Sequence, residues 1–455
     1  MPKKKTALTI EERLQQALVP AEEQPYEVPE NWVWVYGKNI FMPMESRKPD
    51  GEDFYYIDID AIDNKNQVVT EAKKIKTAQA PSRASRKLHT GDTVFSLVRP
   101  YLKNIAYIDV QLSDCIASTG FFVCTPNAAL NDKYLYRLMV SSYVVDGLNK
   151  HMKGDNSPSI RKDDIENYPF PLPPLSEQQR IVERIEELFA KLDEAKERLQ
   201  EVADSFAVRK AALLHKAFTG ELTKQWRREN GVSDESWEEK KFDDCIEKMQ
   251  NGLSKRKGDE GNNIGVLRLA NLGEDDLVLD DLRYILLTEK EEKNYLLSKD
   301  DVIMIRVNGS KDNVARQIVI NTDEKLAFCD HIIRIKYNPN IVARYVMYFS
   351  KTNAYRKYVE DNMVSSAGQN TISRKGLASL VIPLPSIEEQ HEIVRLIDDL
   401  LARERSAQQA TEQALASIDL MKKSILARAF RGELGTNKAS EASALELLRQ
   451  VLAEN

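Results

Sequence analysis

A nuclease that uses a bound metal needs carboxylates and a lysine, and one such string occurs. Pro-Asp at residues 49–50, followed by Glu-Ala-Lys at residues 71–73, has the residue order of a metal-binding core that hydrolyses phosphodiesters. The pattern is permissive, and the second half of the chain has nothing comparable, so coincidence is the favoured interpretation. A nuclease built on Asp50, Glu71 and Lys73 stays open as a minor alternative, which requires metal-dependent cutting by the isolated chain.

Other residues that could do chemistry are scattered. Cys329-Asp330-His331 places three ligand types side by side, but no further ligands are evident, so a strand with polar neighbours is favoured. The sequence has no G-x-x-x-x-G-K-[ST] phosphate loop and no Asn/Asp-Pro-Pro-aromatic tetrapeptide. We therefore predict that this chain has no catalytic residue, no metal site and no bound cofactor.

Composition is that of an ordinary folded protein. The 455 residues are 42% hydrophobic and 30% charged with a formal net charge of −6, so any surface that attracts a polyanion must be local. Four separated cysteines without a C-x-x-C pair indicate a reducing compartment. Neither a signal peptide nor a run of 18 apolar residues is found, so we predict a cytoplasmic protein without membrane association.

One local segment is strongly basic. Residues 71–104 contain eight Lys and Arg against two acidic residues, interleaved with small hydroxyl side chains. Guanidinium, ammonium and amide groups on such loops can bind the phosphates and base edges of duplex DNA. The predicted DNA-contacting residues of the first half, two of them in a polar loop at 153–159, are Ser82, Arg83, Arg86, Lys87, Arg99, Tyr101, Lys103, Asn104, Asn156 and Ser157.

Comparable loops recur in the second half, at residues 251–257, 306–311 and 365–371. Asn and Gln can pair bidentately with adenine, and glycine lets a backbone approach the duplex closely. Each such loop alone is more often a solvated turn, so the prediction depends on how the loops are arranged along the chain. The predicted contacts here are Lys255, Arg256, Arg306, Asn308, Ser310, Gln369 and Asn370.

An internal repeat organises the chain. A shift of 212 residues superposes residues 159–222 on residues 371–434 without a gap, and 20 of the 64 pairs are identical. A looser correspondence extends upstream of each copy. The chain is therefore interpreted as a tandem duplication, in which each unit is a variable module followed by a similar segment.

Each similar segment predicts a long helix. Apolar residues recur at alternating steps of four and three from Ile181 to Leu213, with Arg209 as the one interruption, and the second copy repeats the spacing with polar Glu404 and Thr411 on its seam. Prolines precede each helix, and a glycine follows each. About 42 residues make a rod of roughly 60 Å. Because one rod cannot bury its stripe alone, the two copies are expected to pack antiparallel.

The predicted fold class is α+β, with two mixed α/β modules separated by two long antiparallel coiled-coil helices in a pseudo-twofold repeat. Short β-rich runs in each module precede a helical stretch, at 134–149 and at 342–359. The predicted segments are an N-terminal helical segment at 1–29, a first module at 30–158, a first helical repeat at 159–222, a linker at 223–233, a second module at 234–370, a second helical repeat at 371–434 and a tail at 435–455. Helical residues 6–19 and the tail are expected to meet and close the arrangement.

The sequence resembles the specificity subunits of type I restriction-modification enzymes over nearly its whole length. The resemblance is carried by PLPPLSEQQRIVERIEELFAKLDEA and IPLPSIEEQHEIVRLIDDLLA, each followed by AFTGEL or AFRGEL, and by the loop APSRASRKLHTGDTVFSLVRPYLKNIA. It implies two target recognition domains, each reading one half of an asymmetric bipartite site in double-stranded DNA. The two helices would separate these domains and dock two modification (methyltransferase) subunits.

The resemblance also implies where the chemistry takes place. The complex methylates adenine with S-adenosylmethionine and, when two restriction subunits are added, translocates and cleaves DNA with ATP and Mg, all bound by partner subunits. This chain would be a non-catalytic DNA-recognition subunit. The alternative is a structural coiled-coil scaffold whose modules bind proteins, which salt-sensitive, sequence-selective DNA retention would distinguish.

Overall fold

The computed structural model describes residues 8–454, which divide into two compact units. The first unit comprises the chain up to Leu199 and the part from Gln413 onward, and the second comprises residues 200–412. Each of the two long helices gives one part to each unit. Across the described range, no helix has the length and apolarity needed to cross a membrane.

Twelve α-helices lie within residues 8–454. They are α1 (Ile10–Ala17), α2 (Asp132–Met139), α3 (Ser142–Asn149), α4 (Lys162–Glu166), α5 (Leu175–Phe218), α6 (Lys224–Asn230), α7 (Glu289–Tyr295), α8 (Ala343–Phe349), α9 (Asn353–Asn362), α10 (Arg374–Leu377), α11 (Ile387–Ala429) and α12 (Ala444–Glu454).

The strands of the first module are short, and the last strand of its sheets, Pro169–Leu172, comes from the segment predicted as the first helical repeat. They are β1 (Val33–Tyr36), β2 (Asp53–Ile57), β3 (Ile62–Asp63), β4 (Val68–Val69), β5 (Lys73–Lys76), β6 (Ala84–Lys87), β7 (Thr93–Ser96), β8 (Ile105–Tyr107), β9 (Ile116–Ser118), β10 (Phe121–Cys124) and β11 (Pro169–Leu172). They form a mixed sheet of order β5-β2-β9-β6, an antiparallel sheet of order β10-β7-β8 and the pairs β1-β11 and β3-β4. Every residue of β7 and β10 is buried, as expected of short runs that lie within a core.

The second module is built similarly, and its last strand, Val381–Leu384, comes from the segment predicted as the second helical repeat. Its strands are β12 (Glu238–Lys241), β13 (Ile246–Asn251), β14 (Asn262–Leu267), β15 (Arg283–Leu287), β16 (Val302–Ile305), β17 (Val307–Asn308), β18 (Gln317–Val319), β19 (Leu326–Phe328), β20 (Ile332–Tyr337), β21 (Val364–Ser366), β22 (Gln369–Thr371) and β23 (Val381–Leu384). The sheets have the orders β13-β20-β16-β18, β15-β14-β19, β17-β22-β21 and β12-β23. The predicted α+β class with mixed modules is confirmed.

Two local expectations need refinement. The helical stretch predicted at 134–149 is two helices, α2 and α3, because the Ser141 hydroxyl accepts from the Val144 amide and starts a new helix. The stretch at 342–359 is likewise divided into α8 and α9, where Thr352 caps α9 by accepting from the Tyr355 amide. The linker at 223–233 also contains the short helix α6.

The two long helices pack antiparallel, as predicted. In the first unit, Lys196 of α5 lies 3.6 Å from Asp419 of α11. In the second unit, Arg209 lies 3.0 Å from Glu404. A later residue of α5 therefore contacts an earlier residue of α11, which is the pattern of an antiparallel pair. Gly220 follows α5 in a left-handed conformation, which is the expected helix stop.

The polar residues predicted on the helical seam find partners in the second unit. The Arg209 guanidinium donates through both Nε and Nη2 to the Glu404 carboxylate, at distances of 3.0–3.2 Å. The buried Thr411 hydroxyl donates to the Ala407 carbonyl one turn earlier, at 2.9 Å. The break in the apolar pattern of α5 is thus complementary to the break in α11, which favours a single register.

A buried glutamine joins each long helix to the module that precedes it. In Gln178 and its repeat equivalent Gln390, the amide nitrogen donates to two backbone carbonyls and the amide oxygen accepts from a backbone N–H. The partners are Ala129, Pro173 and Asn131 in the first unit (2.8, 3.0 and 2.7 Å), and Asn340, Pro385 and Val342 in the second (3.2, 3.0 and 2.8 Å). Each amide is hydrogen-bonded through both its nitrogen and its oxygen, which makes its burial favourable and fixes the helix start.

The chain ends meet in the first unit, as expected from the sequence. Helices α1 and α12 pack on each other, with buried Leu14 of α1 and Leu448 of α12 in one apolar core. The Arg13 guanidinium donates to the Leu452 carbonyl at 2.8 Å. Residues 6 and 7 of the predicted N-terminal helix lie outside the described range.

Candidate nucleic-acid interface

In the first unit, the loop after β7 is joined to the loop before α4. The Ile160 amide donates to the Leu97 carbonyl at 2.9 Å, and the Arg99 amide donates to the Pro158 carbonyl at 2.8 Å. The Arg99 guanidinium also donates to the Asn156 carbonyl at 2.9 Å. The two loops thus bring together five predicted DNA-contacting residues, which are Arg99, Tyr101, Lys103, Asn156 and Ser157.

The turn that carries Arg99 and Lys103 has an unusual backbone. Both residues have positive φ, 48° and 58°, and they flank the short 3-10 turn Pro100–Leu102. Left-handed non-glycine residues are uncommon and persist only where neighbouring structure fixes them. Here the backbone bond from Arg99 to Pro158 and the one from the Lys103 amide to the Pro100 carbonyl do so. The fold therefore holds two basic residues on one constrained turn.

The segment from Ser82 to Lys87 lies beside this turn. The Thr119 amide donates to the Arg83 carbonyl at 2.8 Å, and the Leu97 amide donates to the carbonyl of the adjacent Gly120 at 2.8 Å. Ser82 and Arg83 are exposed, whereas Arg86 is half-buried on β6. Lys87 forms an ion pair of 2.6 Å with Glu45, so its charge is partly compensated.

Lys103 has a destabilised positive charge. Burial lowers the pKa of Lys103, and the neighbouring positive charge of Lys423 on α11 lowers the pKa of Lys103 further, against a smaller opposite effect of Asp146. Among the described residues, Lys103 forms no ion pair. A phosphate could replace the missing counter-charge. Lys423 was not predicted, because its sequence position on a repeat helix gives no signal of its proximity to this loop.

Asn104 occupies a different environment from its neighbours. It is 7% exposed, and its carbonyl accepts the Ser96 amide at 3.0 Å. The structure therefore places Asn104 within the protein beside the loop, where its backbone supports the turn.

In the second unit, the three-stranded sheet β17-β22-β21 brings four predicted residues together. Asn308 is paired with Asn370, and the Asn370 side chain donates to the Gly309 carbonyl at 2.9 Å. The Asn308 side chain accepts the Ser310 amide at 2.8 Å. Gln369 is exposed beside the hairpin turn. Asn370 is 7% exposed, so its side chain mainly organises this sheet.

The basic residues predicted at 255–256 are engaged by acidic partners. Lys255 lies 2.9 Å from Glu291, and Arg256 lies 2.9 Å from Asp330. Burial raises the pKa of the Cys329 thiol beside Asp330, which disfavours the thiolate. The Cys329, Asp330 and His331 ligand atoms do lie within 4.8 Å of one another. Asp330 of this cluster forms the ion pair with Arg256, so its carboxylate has a structural partner in the loop at 255–256.

Arg306 lines a polar hollow of about 230 Å³, together with Gln250, Asn251 and Arg374. Within residues 8–454, the Arg306 guanidinium has no ion-pair partner, whereas Arg374 lies 2.6 Å from Asp243. The sequence prediction had not included Gln250 or Arg374. Their amide and guanidinium groups can bind phosphates and base edges. Because both residues lie far from Arg306 in the sequence, the sequence alone does not show that the three are close together.

Each unit joins its loops in the same manner. The Ile372 amide donates to the Arg306 carbonyl at 3.1 Å, which matches the bond between Ile160 and Leu97. The backbone arrangement is therefore repeated, while the side chains around it differ between the units.

Two residues of the nuclease-like string form ion pairs with other surface residues. Lys73 of the nuclease-like string forms an ion pair of 2.5 Å with Asp60, and Asp50 lies 3.4 Å from Arg47. Lys73 and Asp50, two of the three groups that such a core would use, thus have ionic partners within the first module.

The model of the type I restriction modification DNA specificity domain matches residues 38–204 and 234–415. The chain is 32% identical over 339 residues to the type I restriction enzyme StySPI specificity subunit of Salmonella potsdam, covering 72% of this chain and 73% of the relative. It is 27% identical to the EcoKI specificity subunit of Escherichia coli strain K12, covering 73% and 74% respectively.

Solved structures agree. The HsdS subunit from Thermoanaerobacter tengcongensis is 25% identical, with a TM-score of 0.68 over 90% of this chain and 99% of that one. A chain from a study of complex assembly and conformational transition of the type I restriction-modification system is 26% identical, with a TM-score of 0.70 over 90% and 100%. The family model matches more than half of this chain, and the StySPI relative is 32% identical over more than two thirds of it, so this chain belongs to the family of type I restriction-modification DNA specificity subunits.

Proposed function

We propose that the chain is the non-catalytic DNA-recognition subunit of a methyltransferase and endonuclease complex, in which each module reads one half of an asymmetric bipartite site in double-stranded DNA. The observation that carries this proposal is the repeated loop junction, Leu97 with Ile160 and Arg306 with Ile372, surrounded by dissimilar polar and basic side chains. A common backbone supplies two similar docking frames, and different side chains read different bases.

Different residues in the two frames support an asymmetric site. The first frame carries Arg99 and Lys103 on its turn, whereas the second carries Asn308 and Ser310. Arginine and lysine match guanine and phosphate acceptors, while asparagine matches the paired donor and acceptor of adenine. Two half-sites of different sequence follow from this difference.

Partner subunits supply the chemistry in this proposal. Two modification subunits, with S-adenosylmethionine, methylate adenine, and two restriction subunits, with ATP and Mg, translocate and cleave the DNA. The long helices offer docking surface: Val208 is 69% exposed, and Leu420 is 65% exposed. Apolar side chains on an otherwise charged helix favour helix-on-helix packing with a partner.

The test uses the chain purified with its methyltransferase subunits. Genomic DNA from a host expressing this complex should carry methylated adenine at one sequence with two unlike halves and a fixed spacer. Retention of that duplex should fall steeply with salt and exceed retention of scrambled duplex. Methylation without sequence preference, or equal retention of both duplexes, would contradict the proposal and favour the protein-binding scaffold.

Exchanging the first module for that of a relative provides the control. The methylated half-site assigned to the first module should change, while the other half-site stays the same. A change in both halves would exclude independent reading by the two modules.

A further inference from the structure

The second unit has an open groove between α5 and the second module. Its volume is about 380 Å³, which is within the range of ligand and peptide pockets. Ala211, His215 and Phe218 of α5 line one side, and Phe349 and Ala354 of the second module together with Pro383 of β23 line the other. The lining is mainly apolar, so leaving it open to water is unfavourable.

The internal repeat identifies the equivalent place in the first unit. Glu239 pairs with Pro383 across β12 and β23, as Trp34 pairs with Pro171 across β1 and β11. Ala354 lies two residues after the helix cap Thr352, as Tyr143 lies two residues after the cap Ser141. Phe218 and Phe430 correspond through the shift of 212 residues. These three correspondences fix the position independently of one another.

In the first unit, an aromatic residue from the N-terminal segment fills this place. The Tyr26 ring lies 4.8 Å from the Trp34 ring and 5.3 Å from the Tyr143 ring, in edge-to-face contacts. Its hydroxyl donates to the Phe430 carbonyl at 3.1 Å, at the end of α11. The Arg431 guanidinium lies 5.1 Å from the same ring. Tyr26 thus satisfies a helix-terminal carbonyl and covers apolar surface at once.

The second unit has the site but not this residue. Glu239, Ala354 and Thr219 stand where the first unit has Trp34, Tyr143 and Arg431, and the linker there contains the helix α6. The smaller Ala354 leaves room for a ring. Phe218 ends α5, so its carbonyl is among those without an intrahelical donor. The groove therefore retains the acceptor and the apolar walls that an aromatic hydroxyl residue requires.

We propose that this groove binds an extended segment of a partner protein that inserts a tyrosine, whose hydroxyl donates to the Phe218 carbonyl. The chemistry is that of residues 20–29, in which prolines flank Tyr26 and keep the segment extended. A partner protein is favoured over a second copy of this chain, because Tyr26 of each copy already packs against Trp34 and Tyr143 and is hydrogen-bonded in its own first unit. The proposal is independent of DNA recognition.

The test uses the full-length chain and a labelled peptide of residues 20–31, with binding followed by fluorescence anisotropy. Saturable binding is expected. The peptide with Tyr26→Ala should bind about tenfold more weakly or worse, because an aromatic anchor dominates such contacts. Ala354→Trp in the chain, which fills the groove, should weaken binding to the same extent. Ala78→Trp, at an exposed alanine of the first module, should leave binding unchanged, and thermal unfolding checks that both variants are folded.

Failure to bind, or equal binding by the chain and its folded Ala354→Trp variant, would overturn the proposal. Equal binding would mean that the peptide enters the first unit instead. A photo-crosslinking amino acid at position 354 in the assembled enzyme then identifies the natural segment. A crosslink to an aromatic-bearing stretch of a partner subunit supports the proposal, whereas crosslinks only between copies of this chain, or none, contradict it.

Discussion

At the residue scale, the basic residues of the candidate interface fall into two groups, those that form an ion pair with a carboxylate of the chain and those that do not. Lys255 and Arg256 have carboxylate partners within 3 Å, so a phosphate must compete with those partners. Arg83 and Lys103 have no such ion pair among residues 8–454. A residue without an internal partner loses less on binding DNA, so Arg83 and Lys103 are expected to contribute more to affinity.

Arg83→Ala is predicted to weaken binding of the specific duplex. The loss should be about 1–3 kcal/mol if the guanidinium reads a guanine, with relaxed specificity at that base pair. If Arg83 holds a phosphate, the slope of log K against log salt should fall by about one instead. Duplex titrations at several salt concentrations distinguish the two. Arg198→Ala, at an exposed position of α5, is the control, and an Arg83 variant indistinguishable from it would remove Arg83 from the interface.

Lys103→Met is predicted to stabilise the free protein while it weakens DNA binding. The folded pKa of Lys103 is lowered, so between that pKa and the unfolded value the unfolded state binds more protons. This lysine therefore reduces stability at neutral pH, and its penalty disappears as the pH rises through that window. Thermal unfolding between pH 7 and pH 10 should show that the Tm of the variant exceeds that of the wild type by less and less as the pH rises. A variant less stable at pH 7 would contradict the assigned environment.

At the element scale, the register of the paired helices depends on polar seam residues as well as apolar ones. Arg209 and Glu404 are 42% and 33% exposed, so their attraction is screened by solvent. Arg209 interrupts the apolar periodicity of α5, and Glu404, together with Thr411, interrupts that of α11. Their placement opposite each other makes a slipped pairing less favourable, because each charge would then face an apolar position.

A double-mutant cycle tests this pairing. Arg209→Ala and Glu404→Ala should each reduce stability by about 1 kcal/mol or less, with a coupling of a few tenths of a kcal/mol. The exchange Arg209→Glu with Glu404→Arg should recover most of the loss caused by either single charge reversal. Denaturant unfolding provides the free energies. Absence of recovery in the exchanged pair would show that the two side chains do not interact in solution.

At the scale of the whole molecule, the first unit is completed by both ends of the chain. Buried Glu177 accepts from the Trp32 indole at 2.8 Å and from the Asn437 amide at 2.9 Å, which joins the start of the first module and the tail at one carboxylate. In the second unit, Glu389 accepts from Thr223 and Arg227 of the continuous linker, both at 2.6 Å. The tail thus supplies to Glu177 the kind of polar contact that the linker supplies to Glu389 in the other unit.

Leu448→Ala is predicted to destabilise the first unit by about 2–5 kcal/mol, because a buried leucine is replaced and a cavity is left. Leu448 is 0% exposed in the core shared with α1. Gln450→Ala on the exposed face of α12 is the matched control. Hydrogen exchange should show faster exchange in α1 as well as in α12. An effect confined to α12 would mean that the two terminal helices do not stabilise each other.

Sequence periodicity determined the two long helices, their antiparallel pairing and the class of the modules, because heptad spacing and alternating apolar runs are local consequences of helix and strand geometry. The helical stretch at residues 6–19 and the tail after the second repeat also led to the prediction that the ends would meet. The family itself could be identified from the repeat motifs.

Only the tertiary structure decided which polar groups share a surface. Lys103 and Lys423, or Arg306 and Gln250, are far apart in the chain, and their proximity depends on how strands and helices pack. The breaks after Val140 and Ser350 also depended on a single capping hydroxyl each, which competes weakly against a continuous helical pattern. The open groove beside Phe218 was likewise invisible in the sequence, since it arises from a ring that is present in one unit and absent from the other.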